Sequence, residues 1–233
     1  MWQDKALFIL IDPENEDKEF ERIKKWRLIN DNPSVSGIFL GGSTLNKDYS
    51  KEIIQEFKAL SQKPIIGFPG GDKQVFKGLD HLLFLNYLNS DMALLTRTKP
   101  IRAISALDSY GIETTPTAYI VINSTHEFST LEVTHSKAIL PSDKREIETR
   151  IKFSERMGQT HLYLEAGSGS NKGIDLGLIS WIRSFSKQYI IVGGGLKNNE
   201  DLKLAFEAGA NAVVVGTAVE KKPELLETLN PQA

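Results

Sequence analysis

Short apolar runs and longer amphipathic segments alternate along the chain. The first run covers residues 6–11, and residues 17–30 follow it with apolar side chains at helical spacing among charged ones. A short continuous apolar run is typical of a strand buried on both faces of a parallel sheet, whereas apolar positions three or four apart indicate a helix. The pattern therefore predicts repeated strand–helix units.

These units can be counted along the whole sequence. Apolar runs predict eight strands, at residues 6–11, 35–40, 64–68, 81–85, 119–123, 161–166, 189–192 and 212–215. Segments with helical spacing predict about seven helices, at residues 17–30, 47–60, 100–110, 142–157, 175–185, 199–208 and 218–229. Eight such units in 233 residues indicate an α/β fold, a (β/α)8 TIM barrel that forms a single domain over residues 1–233.

One unit departs from the pattern. Only residues 72–79 separate the third predicted strand from the fourth, whereas a crossover between parallel strands usually needs a dozen or more residues. We therefore expect the third helix to be missing or replaced by a loop. The gap could open a groove beside the barrel, and the alternative is a plain short connection.

Three consecutive strands in the last third of the chain end in small residues. The strings that follow them are Gly167-Ser168-Gly169-Ser170, Gly193-Gly194-Gly195 and Gly216-Thr217. Glycine lets a backbone N–H approach a ligand without a Cβ in the way, and a helix start adds unpaired N–H groups. Three such turns at neighbouring strand ends predict a phosphate site, which is expected on the last strands of this barrel. The alternative is that the glycines only let the chain turn.

Polar side chains at strand ends are candidates for chemistry, because the active site of such a barrel lies at that face. This rule selects Asp12, Ser43, Thr44, Glu165, Ser168 and Thr217. Oxygen ligands from Asp12 and Ser43 would suit Mg²⁺, which usually shares its coordination with substrate phosphates. The alternative is that Asp12 only begins a turn with Pro13.

Glu165 differs from the others because it lies within an apolar run. A buried carboxylate is costly unless it is hydrogen-bonded or functional. It could bind substrate hydroxyls or accept a proton, and the alternative is a structural ion pair with a Lys or Arg. Tyr163 lies two residues earlier on the same face of the strand, where it could reach the same ligand or fill the core.

Composition and the remaining motifs exclude several classes of function. A net charge of −2 provides no field for nucleic acid, and the absence of cysteine excludes thiolate zinc sites and a Cys nucleophile. The start of the chain lacks a secretion signal and no apolar run approaches about 18 residues, so we expect a cytoplasmic protein. The four histidines, His81, His126, His135 and His161, show no metal-ligand spacing and are expected at the surface or hydrogen-bonded. Ser168 is not in a nucleophile elbow, which favours phosphate binding.

The candidate residues lie in motifs that resemble those of the geranylgeranylglyceryl phosphate synthase family, which also contains bacterial heptaprenylglyceryl phosphate synthases. The resemblance covers nearly the whole chain and rests on Leu10-Ile11-Asp12-Pro13, Gly41-Gly42-Ser43, Phe68-Pro69-Gly70, Tyr163-Leu164-Glu165-Ala166-Gly167-Ser168-Gly169, Val192-Gly193-Gly194-Gly195 and Val215-Gly216-Thr217. The string that begins at Tyr163 is the most specific. Leu10 stands where some bacterial members have Lys, which favours the archaeal-like branch that also occurs in some bacteria.

The resemblance implies a prenyltransferase that joins sn-glycerol 1-phosphate to a polyprenyl diphosphate, with geranylgeranyl diphosphate expected, through an ether bond and releases diphosphate. It implies that Asp12 and Ser43 hold Mg²⁺. It implies that glycerol phosphate is held by Tyr163, Leu164, Glu165, Ala166, Gly167, Ser168, Gly169, Gly194, Gly195, Gly216 and Thr217. Glu165 and Asp12 are the expected catalytic residues, with Glu165 orienting the glycerol hydroxyls or taking the proton. The family's barrel also lacks a regular third helix, and the prenyl tail lies along that side.

The two substrates are the partners that follow from the resemblance. We also expect contact with a membrane surface during product release and further copies of the chain in a homo-oligomer. Two other interpretations stay open. The first is another phosphate-binding barrel enzyme, such as a sugar-phosphate isomerase or epimerase, for which Asp12 and Glu165 would need a further acid–base partner. The second is a non-catalytic protein that kept the phosphate site.

Overall fold

The computed structural model describes residues 2–12, 19–41, 50–123, 137–168 and 170–230. The strands are β1 (Ala6–Ile11), β2 (Val35–Leu40), β3 (Ile65–Gly67), β4 (His81–Tyr87), β5 (Thr114–Val121), β6 (His161–Glu165), β7 (Tyr189–Gly193) and β8 (Ala212–Val215). The α-helices are α1 (Glu19–Asp31), α2 (Ser50–Leu60), α3 (Lys99–Tyr110), α4 (Lys144–Arg156), α5 (Leu176–Arg183), α6 (Asn199–Glu207) and α7 (Thr217–Lys221). Tighter 3₁₀ turns cover Asp72–Gln74 and Pro223–Glu227, and a wider π turn covers Leu94–Thr98.

The eight strands form one closed parallel barrel. Each strand pairs with the next along the chain, and β8 pairs with β1 in a register that places Ala6 opposite Ala212. Most strands are apolar at every position because both of their faces are buried: Phe8 of β1 faces the barrel interior, whereas Leu7 and Ile9 pack under the helices. The predicted TIM barrel is confirmed, and its assignment as a single domain over the whole chain stays a prediction.

Aromatic rings fill the interior of the barrel. Phe8 stacks on Phe39 with ring centroids 4.6 Å apart, and Phe39 stacks on Phe68 at 5.8 Å. The series continues from Phe68 to Tyr163 at 5.0 Å and from Tyr163 to Tyr119 at 5.2 Å. Contacts of this kind add stability beyond the area they bury, and here they connect strands on opposite sides of the barrel.

The connection between β3 and β4 has no α-helix. Its only helical element is the 3₁₀ turn Asp72–Gln74, so the expectation of a missing third helix is confirmed. Val75 and Leu79 cover the outside of the barrel in its place, and Leu79 packs so closely on Gly67 that a Cβ there would lie 2.8 Å from its Cδ1 atom.

Three predicted boundaries are wrong. β5 begins at Thr114 rather than at residue 119, because β-branched threonines and Pro116 extend it beyond the apolar run. Helix α4 follows Asp143, and no side-chain hydrogen bond caps its start. The last predicted helix is divided into α7 and the 3₁₀ turn, because Pro223 has no N–H to continue the first of them.

Trp2 closes the amino-terminal end of the barrel against His81 and His161, with ring centroids 5.9 Å and 4.7 Å away. His81 is hydrogen-bonded to the hydroxyl of Thr115, as expected. His161 is buried and meets the expectation only in part: its Nδ1 atom is hydrogen-bonded to the Thr160 hydroxyl at 2.9 Å, but its Nε2 atom has no hydrogen-bond partner among the described residues. Burial, reinforced by His81, lowers the pKa of His161 to about 4. His126 and His135 lie outside the described residues.

His161 should make folding sensitive to acid. Its folded-state pKa lies below the value of about 6.5 in an unfolded chain, so the unfolded state takes up more protons between these values. We expect His161→Gln to gain stability relative to wild type as the pH falls from about 7 to about 4.5, by at most roughly 1.4 kcal/mol per pH unit. Urea denaturation at several pH values measures this gain.

Thr160→Val is the control, because it removes the Nδ1 contact and keeps the titrating ring. Its stability relative to wild type should not follow the same pH dependence. A constant difference between His161→Gln and wild type at every pH would contradict the assignment.

Candidate active site at the carboxyl ends of the strands

A cavity of about 340 Å³ opens where β6, β7 and β8 end. Small residues and cations dominate its lining, which consists of Leu10, Glu165, Ser168, Ser170, Asn171, Gly194, Gly195, Leu196, Lys197, Val214, Gly216, Thr217, Ala218, Lys221, Lys222 and Leu225. Six of the residues predicted to hold glycerol phosphate therefore share one cavity: Glu165, Ser168, Gly194, Gly195, Gly216 and Thr217. Tyr163, Leu164, Ala166 and Gly167 lie behind this surface, and Gly169 is outside the described residues.

Among the described residues, Glu165 is the only carboxyl group in the lining of this cavity. It is the last residue of β6, and only 6% of it is exposed. Its Oε1 atom accepts a hydrogen bond of 2.6 Å from the N–H of Gly167, and its carboxylate accepts another from the Tyr119 hydroxyl. Within the described part of the chain it has no Lys or Arg partner, so the ion-pair alternative is wrong there.

Burial controls the charge of Glu165. Loss of water raises the pKa of Glu165 to about 7, although the hydrogen bonds from Gly167 and Tyr119 both favour the carboxylate and act against that rise. Burial also raises the pKa of Tyr119 well above its ordinary value, so its hydroxyl keeps its proton and stays a donor. A carboxyl group that titrates near neutral pH is suited to accept a proton.

Tyr163 lies beneath the cavity, in the aromatic series inside the barrel. Its ring is 1% exposed, and its hydroxyl lies so close to Gly193 that no Cβ could be accommodated there. The structure thus gives Tyr163 a packing role under Glu165. Its contact with a substrate stays a prediction.

Glycine is required at two of the turns for geometric reasons. Gly194 and Gly195 have φ angles of +83° and +72°, in the left-handed region that side chains rarely adopt. A Cβ at Gly194 would also lie 2.6 Å from Oε1 of Glu165, and one at Gly195 would collide with the backbone of Lys172. Gly216 is different, because its φ is −118° and a Cβ would meet only the side chain of Leu10, at 3.3 Å.

Three lysines that the sequence analysis did not select also line the cavity. They are Lys197, Lys221 and Lys222, all exposed, and Lys197 donates a hydrogen bond of 3.0 Å from its Nζ atom to the carbonyl of Asn171. The described lining thus carries three cations and one carboxyl group, so the cavity attracts anions. Each of these lysines lies within six residues after a glycine turn, and that spacing could have identified them as cavity residues from the sequence.

Asp12 lies at the same end of the barrel but outside this cavity. It directly follows β1 and is half-buried. Beside it, the N–H of Gly41 donates to the carbonyl of Ile11 at 3.1 Å, and Gly41 contacts the carbonyl of Phe68 too closely for a Cβ. The ends of β1, β2 and β3 therefore converge at Asp12. Ser43, Thr44 and Pro13 lie outside the described residues, and among the residues described no three His, Asp or Glu side chains form a metal-binding cluster.

The short β3–β4 connection leaves the groove that the sequence analysis considered. It is narrow, about 40 Å³, and lies between β4 and α3. Its lining is mostly apolar and consists of Pro69, Gly70, Gly71, Asp72, Val75, Leu82, Leu83, Phe84, Leu85, Tyr87, Lys99, Pro100 and Ala103. A small recess is thus present at the short connection, and its use as a binding groove stays a prediction.

The chain matches the model of the PcrB family over residues 1–230. A geranylgeranylglyceryl phosphate synthase of Chitinophaga pinensis is 33% identical over 196 residues, which are 84% of this chain and 77% of that protein. A protein of the same name from Cenarchaeum symbiosum is 33% identical over 218 residues, covering 92% of this chain and 85% of that one. The resemblance that the motifs indicated is confirmed.

A solved structure supports the same relationship. The crystal structure of (S)-3-O-geranylgeranylglyceryl phosphate synthase from Thermoplasma acidophilum, in complex with its substrate sn-glycerol-1-phosphate, has a TM-score of 0.90 and 26% identity to this chain. The match covers 98% of this chain and 91% of that one. In the part of the chain that the structure describes, no helix is long and apolar enough to cross a membrane.

The two kinds of glycine should respond differently to alanine. Gly194→Ala should lower the free energy of unfolding by about 1–2 kcal/mol, because a side chain is strained at its φ of +83° and would displace Glu165. Gly216→Ala should change it by less than about 0.5 kcal/mol, because only the flexible side chain of Leu10 must adjust. Chemical denaturation of both variants compares the two costs. Equal losses would contradict the geometry described for Gly194.

Proposed function

The chain belongs to the PcrB family and is an enzyme of the prenyltransferase class, and we propose that it joins sn-glycerol 1-phosphate to geranylgeranyl diphosphate or a related polyprenyl diphosphate. The observation that carries the proposal is the placement of Glu165. A buried carboxyl with a pKa of about 7 lies in a cavity whose walls include three glycines at strand ends, two hydroxyl side chains beside them and three lysines. Such a cavity suits a small phosphate ester with free hydroxyl groups.

The phosphate would be held by the turns after β6, β7 and β8. Gly194, Gly195 and Gly216 present backbone there without side chains, and Ser168 and Thr217 add hydroxyl donors. Lys197, Lys221 and Lys222 add positive charge at the rim. The glycerol end would then point towards Glu165. Holding one hydroxyl in place in this way removes much of the entropic barrier to its reaction.

The reaction needs one proton acceptor. A glycerol hydroxyl gives its proton to the carboxylate of Glu165 while its oxygen forms a bond to the allylic carbon of the prenyl diphosphate. The bond between that carbon and the diphosphate oxygen breaks, and diphosphate leaves with the bonding electrons. At neutral pH a carboxyl with a pKa of about 7 is about half ionised, so the acceptor form is well populated.

The diphosphate would lie near Asp12. The carboxylate of Asp12 is half-buried where three strand ends converge, and its oxygen atoms are of the kind that Mg²⁺ prefers. Asp12, with Ser43 as the expected second ligand, would hold Mg²⁺, which supplies positive charge against the leaving group when bound. The fit rests on the donor chemistry of Asp12 alone, because Ser43 lies outside the described residues.

The prenyl tail would lie in the groove beside the barrel. Val75, Leu82 and Phe84 give it apolar walls on the outer side of the barrel, and burial there contributes at about 25 cal/mol per Å² of apolar area. The phosphate cavity and the groove lie on different sides of the barrel mouth, which keeps acceptor and donor apart except at their reacting ends.

A direct assay tests the proposal. The protein is incubated with Mg²⁺, labelled sn-glycerol 1-phosphate and geranylgeranyl diphosphate, and a lipid-soluble labelled product is expected. Asp12→Ala should lower turnover at least about 100-fold while calorimetry shows unchanged binding of sn-glycerol 1-phosphate, because Asp12 lies outside that cavity. Turnover of triose or pentose phosphates without prenyl transfer would favour an isomerase or epimerase, and phosphate binding without any turnover would favour a binding protein.

The pH dependence of the rate tests Glu165. Wild-type turnover should rise with pH through about 7, because the carboxylate is the acceptor form and predominates above its pKa. Glu165→Gln should lower turnover at least about 100-fold and abolish this rise with pH. Tyr119→Phe should shift the rise to higher pH, because the hydrogen bond that it removes favours the carboxylate. An unchanged profile in Tyr119→Phe would contradict the role given to this hydrogen bond.

A further inference from the structure

Apolar side chains are exposed in a row on the outer side of α3 and of the π turn before it. Ile101 is 64% exposed, Ile104 45% and Leu94 40%. Together with Arg97 they recur every three or four residues, which places them on one side of the helical segment. Single exposed apolar residues are common on protein surfaces, but a contiguous row indicates an interaction surface. We name Leu94, Arg97, Ile101, Arg102 and Ile104 the α3 face.

The α3 face is positively charged. Two of its five residues, Arg97 and Arg102, are cations and none is a carboxylate, while Asp91 and Asp108 lie beyond its two ends. Neither arginine forms an ion pair with another described residue. Exposed apolar side chains interspersed with unpaired cations are the features of a helix that lies in the interface of an anionic membrane.

The same helix forms one wall of the apolar groove. Lys99, Pro100 and Ala103 point to the groove, and Ala103 is buried there, while Ile101 and Ile104 point outwards. A Cβ at Gly71, across the groove, would lie 3.2 Å from Nζ of Lys99. The α3 face is therefore continuous with the site proposed for the prenyl tail, so a molecule that leaves the groove beside α3 would pass directly into whatever covers that face.

We propose that the α3 face docks on an anionic lipid surface and that the prenylated product leaves the groove into that surface. The inference rests on the proposed function for its use, because only a product with a polyprenyl tail needs such an exit. A second copy of the chain fits less well. In a two-fold symmetric dimer the face would meet itself and bring Arg97 and Arg102 against the same two cations of the other copy.

The chain provides a matched control on α4. Phe153 and Met157 are as exposed as the isoleucines of α3, at 54% and 64%, and lie four positions apart. The charges around them are mixed and paired, since Glu146 bonds to Arg150 and Glu148 to Lys152. This surface has the same apolar content without the excess of positive charge.

Sedimentation with vesicles tests the proposal. Wild type, Ile101→Ser/Ile104→Ser, Arg97→Gln/Arg102→Gln and Phe153→Ser/Met157→Ser are each mixed with vesicles of phosphatidylcholine alone or with added phosphatidylglycerol. Wild type should bind the anionic vesicles and release them as salt is added. The isoleucine variant should bind at least about ten-fold more weakly. The arginine variant should bind roughly twenty-five-fold more weakly, because each of its two lost cations contributes about five-fold. The α4 variant should bind as wild type does.

Three outcomes would overturn the proposal: equal binding of wild type to both kinds of vesicle, an equal loss in the α4 variant, or no loss in either α3 variant. Light scattering without vesicles tests whether the α3 face instead binds a second copy of the chain. A wild-type dimer that Ile101→Ser/Ile104→Ser dissociates, together with no vesicle binding by wild type, would favour that alternative over membrane docking. Circular dichroism and thermal melting confirm that each variant is folded. Turnover of a short, water-soluble prenyl diphosphate should be unchanged in all of them.

The two proposals can fail separately. Vesicle binding that depends on the α3 face, in a protein without prenyl transfer, would leave the docking surface standing and reject the proposed reaction. Prenyl transfer by a protein that does not bind anionic vesicles would reject only the docking surface.

Discussion

The buried carboxyl group of Glu165 constrains much of the structure around it. It lies at the end of β6 and forms no ion pair with a described residue, so two hydrogen bonds must accommodate its charge. Gly167 donates one of these bonds, and Tyr119 donates the other from the neighbouring strand. Gly194 must lack a side chain because Oε1 of Glu165 occupies the space where its Cβ would be. The aromatic series inside the barrel ends in Tyr119, whose hydroxyl is the side-chain donor to this carboxylate.

The missing helix gives the barrel a second opening. An ordinary crossover helix would cover β3 and β4, but here the 3₁₀ turn and Leu79 cover only part of them. The uncovered part is the groove, and α3 forms its far wall. A phosphate cavity at β6 to β8 and an apolar groove at β4 suit two substrates of unlike chemistry. The groove follows from chain length, because residues 72–79 are too few to form a helical crossover.

The sequence predicted features that depend on local chemistry. Apolar runs located the eight strands, the short spacing identified the missing helix, and glycine after β6, β7 and β8 located the cavity. The early start of β5 was missed, because the strand prediction relied on apolar residues. Thr115 and Thr117 are buried polar residues, and Thr115 is hydrogen-bonded to His81. The rim lysines were missed for a similar reason. Lysine is common on any surface, and only the folded arrangement shows that Lys197 and Lys221 face the same cavity.

His161 could not be predicted as a buried, incompletely hydrogen-bonded side chain, because its position depends on how Trp2 folds over the end of the barrel. It has a consequence that no local pattern contains. Below a pH of about 6.5 its lowered pKa makes folding less favourable as acid is added. Glu165 has the opposite effect, because its pKa is raised from 4.5 to about 7 and the folded state binds the extra proton between those values.

The contributions of these two residues therefore oppose each other between about pH 4.5 and pH 6.5. Stability lost at His161 on acidification is offset at Glu165, where protonation removes a buried charge. Towards neutral pH His161 is uncharged in both states and contributes no further change, while the ionisation of Glu165 continues to lower stability. The form of Glu165 that can accept a proton is thus the form that burial disfavours, and the rest of the barrel must be stable enough to hold it there.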